Sequence, residues 1–287
     1  MSVSDNFRQF CNSLIQDNAS VRYKSITRRL NSDFRGLNSE TAYSLYIGSH
    51  GRRTATSKTS DVDMLYQLPV SLYNQYSGHY GNGQSALLQA VRDSIRKTYP
   101  TTEAGADGQV LVIKFTDGVK FEVLPAFENT DGSFTYPDSN GGGSWKVTDP
   151  KPEIKAIRER DDFYNDNLRR LCRMARVWKE KHNVPIKGLL IDTLAYQFIH
   201  NWAHRFESYL YYDYMVRDFF LFLYNQDSEK TYWLAPGSSQ RVYRTGAFEY
   251  RAGQAYRLAL EAIKYNQDDM PYSERQKWRE IFGTVYP

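Results

Sequence analysis

Apolar residues recur at helical spacing in 5–16 and again in 20–34, where Val21, Ile26, Leu30 and Phe34 form a stripe. The run 42–47 is extended and stops at Gly48-Ser49. A polar loop, 54–60, then leads into 61–67, where Asp61-Val62-Asp63 alternates before Met64-Leu65-Tyr66. This alternation predicts a strand with one face in a core. Pro69 ends it, and the Gly- and Tyr-rich residues 74–84 read as an exposed connection. Ser85 opens a helix striped by Leu87, Leu88, Val91 and Ile95. Two further strands, 110–115 and 119–124, flank Thr116-Asp117-Gly118, a strong hairpin signal.

Past Pro125 the pattern changes. Residues 133–152 are rich in Gly and Pro, and from 158 onward helical spacing dominates, in 158–182, 189–205, 209–225, 248–265 and 273–282. The segment 248–265 is the clearest, with Phe248, Ala252, Ala255, Leu258, Ala259 and Ala262 on a small-residue face. A small mixed sheet with helices (residues 1–150) is thus expected to join a helical half (151–287). The chain is α+β, and a cleft between the halves is the expected site.

The candidate chemistry lies in the first half. Strand period places Asp61 and Asp63 on one face and Val62 on the other. Two carboxylates on one face repel unless a cation lies between them. Hard divalent ions, which take carboxylate and phosphate oxygens, suit that role. The hairpin brings a third acid, Glu122, into the same sheet. Gly48 and Ser49 add a tight turn and a hydroxyl suited to a triphosphate. The reading is a metal-dependent nucleotidyltransferase with two Mg²⁺ ions (Mn²⁺ being the alternative) held by Asp61, Asp63 and Glu122. An isolated D-x-D is most often a solvated pair; here the flanking strands decide against that. Lys179 is the candidate for a distal phosphate contact, against a lysine whose stem covers apolar surface. Tyr136 and Trp145 either flank a base or anchor their loop to the core, and Arg52 and Arg53 either approach phosphate or keep their arm soluble.

Composition narrows the class. The chain has 287 residues, 41% hydrophobic and 24% charged, with 23 tyrosines and a formal charge of +4. These values fit an ordinary globular protein, and no apolar run is long enough to span a membrane. The first residues lack the layout of a secretory signal. Cys11 and Cys172 are too few for a disulfide scaffold and read as thiols in a reducing cytoplasm. Ten Lys or Arg face six acids within 151–181: a nucleic-acid surface, a phosphate cradle or a wet helix face. His200 and His204, four apart without a nearby acid, read as a packed or surface pair rather than a zinc site.

The ordered set Gly48-Ser49, Asp61-Val62-Asp63 and Phe121-Glu122-Val123 resembles the signature of the DNA polymerase β-like nucleotidyltransferase superfamily. Within it, the chain is similar to the bacterial CD-NTase family, relatives of cyclic GMP–AMP synthase and oligoadenylate synthase. Residues 119–127 are similar to that family's third-acid strand. Phe134-Thr135-Tyr136-Pro137-Asp138, Gly143-Ser144-Trp145 and Thr148-Asp149-Pro150 look like its nucleotide-pocket loop, and Trp178-Lys179 and Gly246-Ala247-Phe248 resemble its helical half. The resemblance implies a polymerase β-like core, NTP substrates, a cyclic di- or oligonucleotide second messenger made in antiphage defence, and an effector that acts through that product. RNA or a protein is a further candidate partner, as activator. Glu122 stands where many signalling relatives carry Asp. The chain has no insertion resembling the zinc ribbon of the animal DNA sensor, which argues against DNA activation. RNA tailing or tagging of a small molecule is the alternative activity, and an inactive interaction protein the third reading.

Overall fold

The computed structural model describes residues 2–15, 19–57 and 61–287. The chain begins with helix α1 (Val3–Ser13), closed at its start by a capping box between Ser2 and Asp5, and α2 (Ser20–Arg35), ended by Gly36 in the left-handed conformation. Strand β1 (Ser44–Tyr46) leads into the one-turn helix α3 (Gly48–Gly51), then β2 (Asp61–Gln67), α4 (Val70–Ser77) and α5 (Gly83–Arg96). Strands β3 (Glu103–Asp107), β4 (Val110–Lys114), β5 (Lys120–Glu128), β6 (Phe134–Asp138) and β7 (Ser144–Thr148) follow. The remainder is helices α6 (Lys151–Phe163), α7 (Asn167–His182), α8 (Gly188–Asn201), α9 (Tyr212–Tyr224), α10 (Glu249–Gln267) and α11 (Pro271–Phe282), with a small hairpin of β8 (Tyr232–Leu234) and β9 (Arg241–Tyr243) before α10.

The architecture is mixed α+β. Five strands run in the order β1-β2-β5-β4-β3, and β6 pairs with the far end of β5 and with β7. Only the β2–β5 pairing is parallel; the others are antiparallel. Val62, Met64 and Tyr66 of β2 and Phe121 and Val123 of β5 are buried, and they pack with Ile26 and Leu30 of α2 and Leu87, Leu88 and Val91 of α5. The stripes that the sequence sets on α2 and α5 are thus the faces that cover the sheet, except for Val21, which is exposed. Gly118 takes a positive φ of 86° in the hairpin between β4 and β5, as Thr116-Asp117-Gly118 leads one to expect.

Two compact units emerge, and neither is a continuous stretch of chain. One comprises Asp17–Gly51 and Thr59–Lys151; the other comprises Met1–Gln16, Arg52–Lys58 and Pro152–Pro287. The second unit thus takes in two stretches from before residue 150. The first of them is tied to it by aromatic contacts. Phe7 of α1 meets Trp278 at 5.1 Å and Tyr286 at 5.3 Å edge to face, and Phe10 meets Phe282 at 4.8 Å, all wholly or almost wholly buried.

Other departures have local causes. The periodic run 158–182 is two helices, because Asn165 and Asp166 adopt left-handed φ values of 54° and 61° between α6 and α7. Part of the expected exposed connection 74–84 continues helix α4, and the Gly/Pro-rich segment 133–152 contains the paired strands β6 and β7. His200 lies 3.1 Å from the Tyr164 hydroxyl and His204 stacks on Tyr211 at 4.5 Å; both are exposed, surface histidines with aromatic neighbours. Cys11 and Cys172 are buried free thiols, and burial pushes the Cys11 thiol up to about 12.

A buried acid makes the helical unit sensitive to pH. Glu274 of α11 is 2% exposed, and desolvation pushes its carboxyl from 4.5 to about 7 despite nearby Arg275. A folded value above the unfolded one means that the folded state holds the extra proton between these two values, so Glu274 subtracts stability as pH rises through that window. The Glu274→Gln variant should therefore match the parent in melting temperature near about pH 5 and melt higher than the parent near about pH 8. Paired thermal melts at the two pH values check this; a pH-independent difference would contradict it.

Candidate active site

Strand β2 places Asp61 and Asp63 half-exposed on one face while Val62 and Met64 are buried on the other. Strand β5 lies parallel beside it in a register that sets Asp61 opposite Lys120 and Asp63 opposite Glu122. Because side chains at matched positions of paired strands share a face, the register brings Asp61, Asp63, Lys120 and Glu122 to one surface of the sheet. Asp61, Asp63 and Glu122, far apart in sequence, are thereby brought together.

Lys120 was missing from the residues singled out in the sequence. Its ammonium lies 2.8 Å from Glu122 Oε1 and 3.1 Å from Asp61 Oδ2. The hydrogen bond to Glu122, with a smaller contribution from Asp61, holds the lysine pKa above its usual value against some desolvation. The available signal was the strand period itself: Lys120 is two residues before Glu122 and therefore on its face.

Gly48 begins α3 just beyond β1, the antiparallel neighbour of β2. The Ile47 amide donates to the Asp63 carbonyl at 3.0 Å, which draws this turn against the acidic strand. Gly48 has a φ of 57°, and a Cβ there would come within 2.0 Å of Asp63 Oδ2. Two independent constraints thus require glycine, one of backbone conformation and one of space. Ser49 follows in the same turn.

The remaining candidates divide. Trp145 packs against Tyr73 at 4.9 Å and Phe127 at 5.8 Å, which gives it the anchoring role. Tyr136 is half-buried against the small cluster containing Leu65, Leu124 and Phe134. Lys179, in the last turn of α7, belongs to the helical unit and pairs with Glu180 at 2.6 Å. Arg52 is buried, not a solubilising surface group. Its Nε meets Asp192 Oδ2 at 2.8 Å, in a set completed by Thr54 at 2.9 Å and Arg176 at 2.7 Å from the same oxygen. Arg173 donates to the Arg53 carbonyl at 2.6 Å and Arg169 to that of Arg52 at 3.2 Å. No local pattern advertises this set, because Asp192 and Arg176 lie far along the chain.

Three other acids, Asp161, Asp162 and Asp166, offer oxygens within 4.8 Å of one another and form a candidate metal-binding cluster. It is the only such group among the described residues. Asp161 pairs with Arg169 at 3.0 Å and Asp166 with Arg170 at 3.2 Å, so a cation there would compete with two guanidinium groups. Asp61 and Glu122 already share one cation, the Lys120 ammonium, and together with Asp63 on the same face they offer only oxygen donors, the kind a hard divalent ion takes.

Comparison with known proteins identifies the fold and the family. A probable cyclic nucleotide synthase of Bacillus cereus is 23% identical over 178 residues, which cover 58% of this chain and 51% of that protein; the chain thus matches about half the length of its curated relative. The fold is shared with CdnC of Escherichia coli MS115-1, solved in a complex with HORMA-deltaN, at 14% identity and a TM-score of 0.66 over 99% of this chain and 98% of that one. It is also shared with the cyclic AMP-GMP synthase DncV of Vibrio cholerae, at 15% identity and a TM-score of 0.63 over 85% and 69% of the two chains. The mixed α+β fold around the seven-stranded sheet is accordingly the fold of these two structures. The profile of the Second Messenger Oligonucleotide or Dinucleotide Synthetase domain matches residues 1–161, more than half the sequence and all of the acid-bearing strands, and the chain belongs to that family.

Proposed function

We propose that the protein is a metal-dependent nucleotidyltransferase that joins NTPs into a cyclic di- or oligonucleotide second messenger. The observation that carries this reading is the parallel register of β2 and β5, which sets Asp63 opposite Glu122 with Asp61 on the same face. Family membership supplies the product class. Following its relatives, the protein would act in the cytoplasm in antiphage defence, through an effector that responds to the product. No helix among the described residues is long and apolar enough to cross a membrane.

Asp61 and Asp63 would hold two Mg²⁺ ions, with Glu122 completing the site on the side of the attacking hydroxyl. When bound, such ions neutralise the attacking and leaving oxygens of an in-line displacement. The chain's own residues set the geometry. The Gly48 turn brings Ser49 to the edge of the acidic strand, where its hydroxyl can donate to a phosphate oxygen. Lys120, between Asp61 and Glu122, reduces the mutual repulsion of the carboxylates. Lys179 remains the candidate for a more distant phosphate contact. Tyr136 is the remaining candidate beside the base, because Trp145 is engaged in packing.

Asp61→Asn and Asp63→Asn each keep side-chain volume and remove the charge. Either should lower pyrophosphate release from NTPs with Mg²⁺ by more than about a hundredfold, beyond the cost typical of outer-shell changes. The melting temperature should stay near that of the parent; near-parental activity in both variants would defeat the metal assignment.

Glu122→Gln should slow the single-turnover rate at saturating nucleotide far more than it weakens nucleotide binding. Binding that collapses while the bound-state rate holds would reassign Glu122 to substrate capture.

The product itself separates signalling from tailing. Purified protein with Mg²⁺ and all four NTPs, without primer, should yield a small phosphatase-resistant oligonucleotide of cyclic mass. If nucleotide appears only on added RNA or on a small-molecule acceptor, with nuclease-treated extract also present as a source of activator, the cyclic-product reading fails.

A further inference from the structure

A cavity of about 670 Å³ opens in the helical unit, which contains none of Asp61, Asp63 or Glu122. Its walls come from α7, α10 and α11. Lys181, Arg251, Arg257 and Arg279 line it, and so do Glu261 and Glu280. Those two acids share one ammonium, Lys277 meeting Glu261 at 2.9 Å and Glu280 at 3.2 Å, and the four cations of the lining outnumber them. Arg251 donates to the neutral side chain of Gln254 at 3.0 Å, and Arg279 donates through Nε to the Tyr286 carbonyl at 3.1 Å; neither contact cancels charge. Lys181 and Arg257 form no ion pair among the described residues. One wall is apolar, made by Trp178, Ala255 and Leu258.

We propose that this cavity binds a small organic phosphate bearing two or more negative charges. Several guanidinium groups converging from different helices favour phosphate oxygens, which they can meet in paired hydrogen bonds. The cavity volume falls in the range of small-molecule sites, about 300–1,000 Å³, and the half-buried Leu258 offers apolar surface to the organic part of such a ligand. A long nucleic acid needs an extended basic track instead of a concave pocket. The site is also well placed to influence the rest of the helical unit. Helix α7, which contributes Trp178 and Lys181, carries Arg169, Arg173 and Arg176 on earlier turns, and these three hold Arg52, Arg53 and Thr54.

Calorimetric titration of the full chain with fructose 1,6-bisphosphate tests this. Divalent metal is chelated throughout, so that the proposed nucleotide chemistry plays no part. Saturable binding at one site per chain is expected. The double variant Arg251→Gln/Arg257→Gln should bind at least about tenfold more weakly, the loss expected for one charge-assisted hydrogen bond or more. Asp63→Asn should bind as the parent does, and circular dichroism of each variant should match the parent. Absence of saturable binding, equal affinity in the double variant, or a loss in Asp63→Asn would overturn the proposal. So would binding of a short DNA duplex that the bisphosphate fails to displace.

Discussion

The buried carboxylate of Asp192 ties the side chains of the short arm after Gly51 to the helical unit. It is fully excluded from solvent, and only the cationic and hydroxyl groups around it make that tolerable. Against the desolvation of burial, Arg176 and then Arg52 keep it below the ordinary carboxylate range, and Thr54 adds a third contact to the same oxygen. Removing one partner from such a pair typically costs about 3–5 kcal/mol, because the remaining charge stays buried. The consequence is specific to the short arm after Gly51. Its backbone carbonyls are taken by Arg169 and Arg173, its side chains by Asp192, and the Ser57 amide by the Leu14 carbonyl. The arm is built into the helical unit although the residues flanking it belong to the sheet.

The sheet obeys a different constraint. A parallel pair of strands has one register in which every apolar side chain stays in the core, and a slip by one residue would turn Phe121 and Val123 outward. Burial of those two side chains, together with Val62 and Met64, therefore fixes which acids face each other. Packing energy, with no contribution from the carboxylates themselves, assembles a set of charges that would otherwise separate. Lys120 then moderates the repulsion that packing imposes.

Features governed by local period were legible in the sequence: the acid-bearing strand, the Thr116-Asp117-Gly118 turn and the small-residue face of α10. In each, neighbours a few residues apart decide the conformation. What escaped was decided at long range or by single backbone dihedrals. Nothing near Arg52 indicates that it will meet Asp192. The break after α6 depends on two residues, Asn165 and Asp166, taking left-handed conformations inside an otherwise continuous helical pattern. The glycines at 141–143 suggested an irregular segment and concealed the ladder in which Tyr136 pairs with Lys146 and Pro137 with Trp145. The candidate site follows the same division, since the acids could be read from strand period but the positions of Trp145 and Lys179 depended on which unit their elements join.

The place of α1 has a consequence for synthesis. Phe7 and Phe10 are translated about 270 residues ahead of their partners Trp278, Phe282 and Tyr286. At translation rates of roughly 5–20 residues per second, the delay is on the order of tens of seconds. During that time an amphipathic helix with two unburied phenylalanines must wait beside a sheet domain that can already close on itself. Until translation reaches α11 the nascent chain therefore offers a hydrophobic segment to chaperones, and the helical unit stays incomplete.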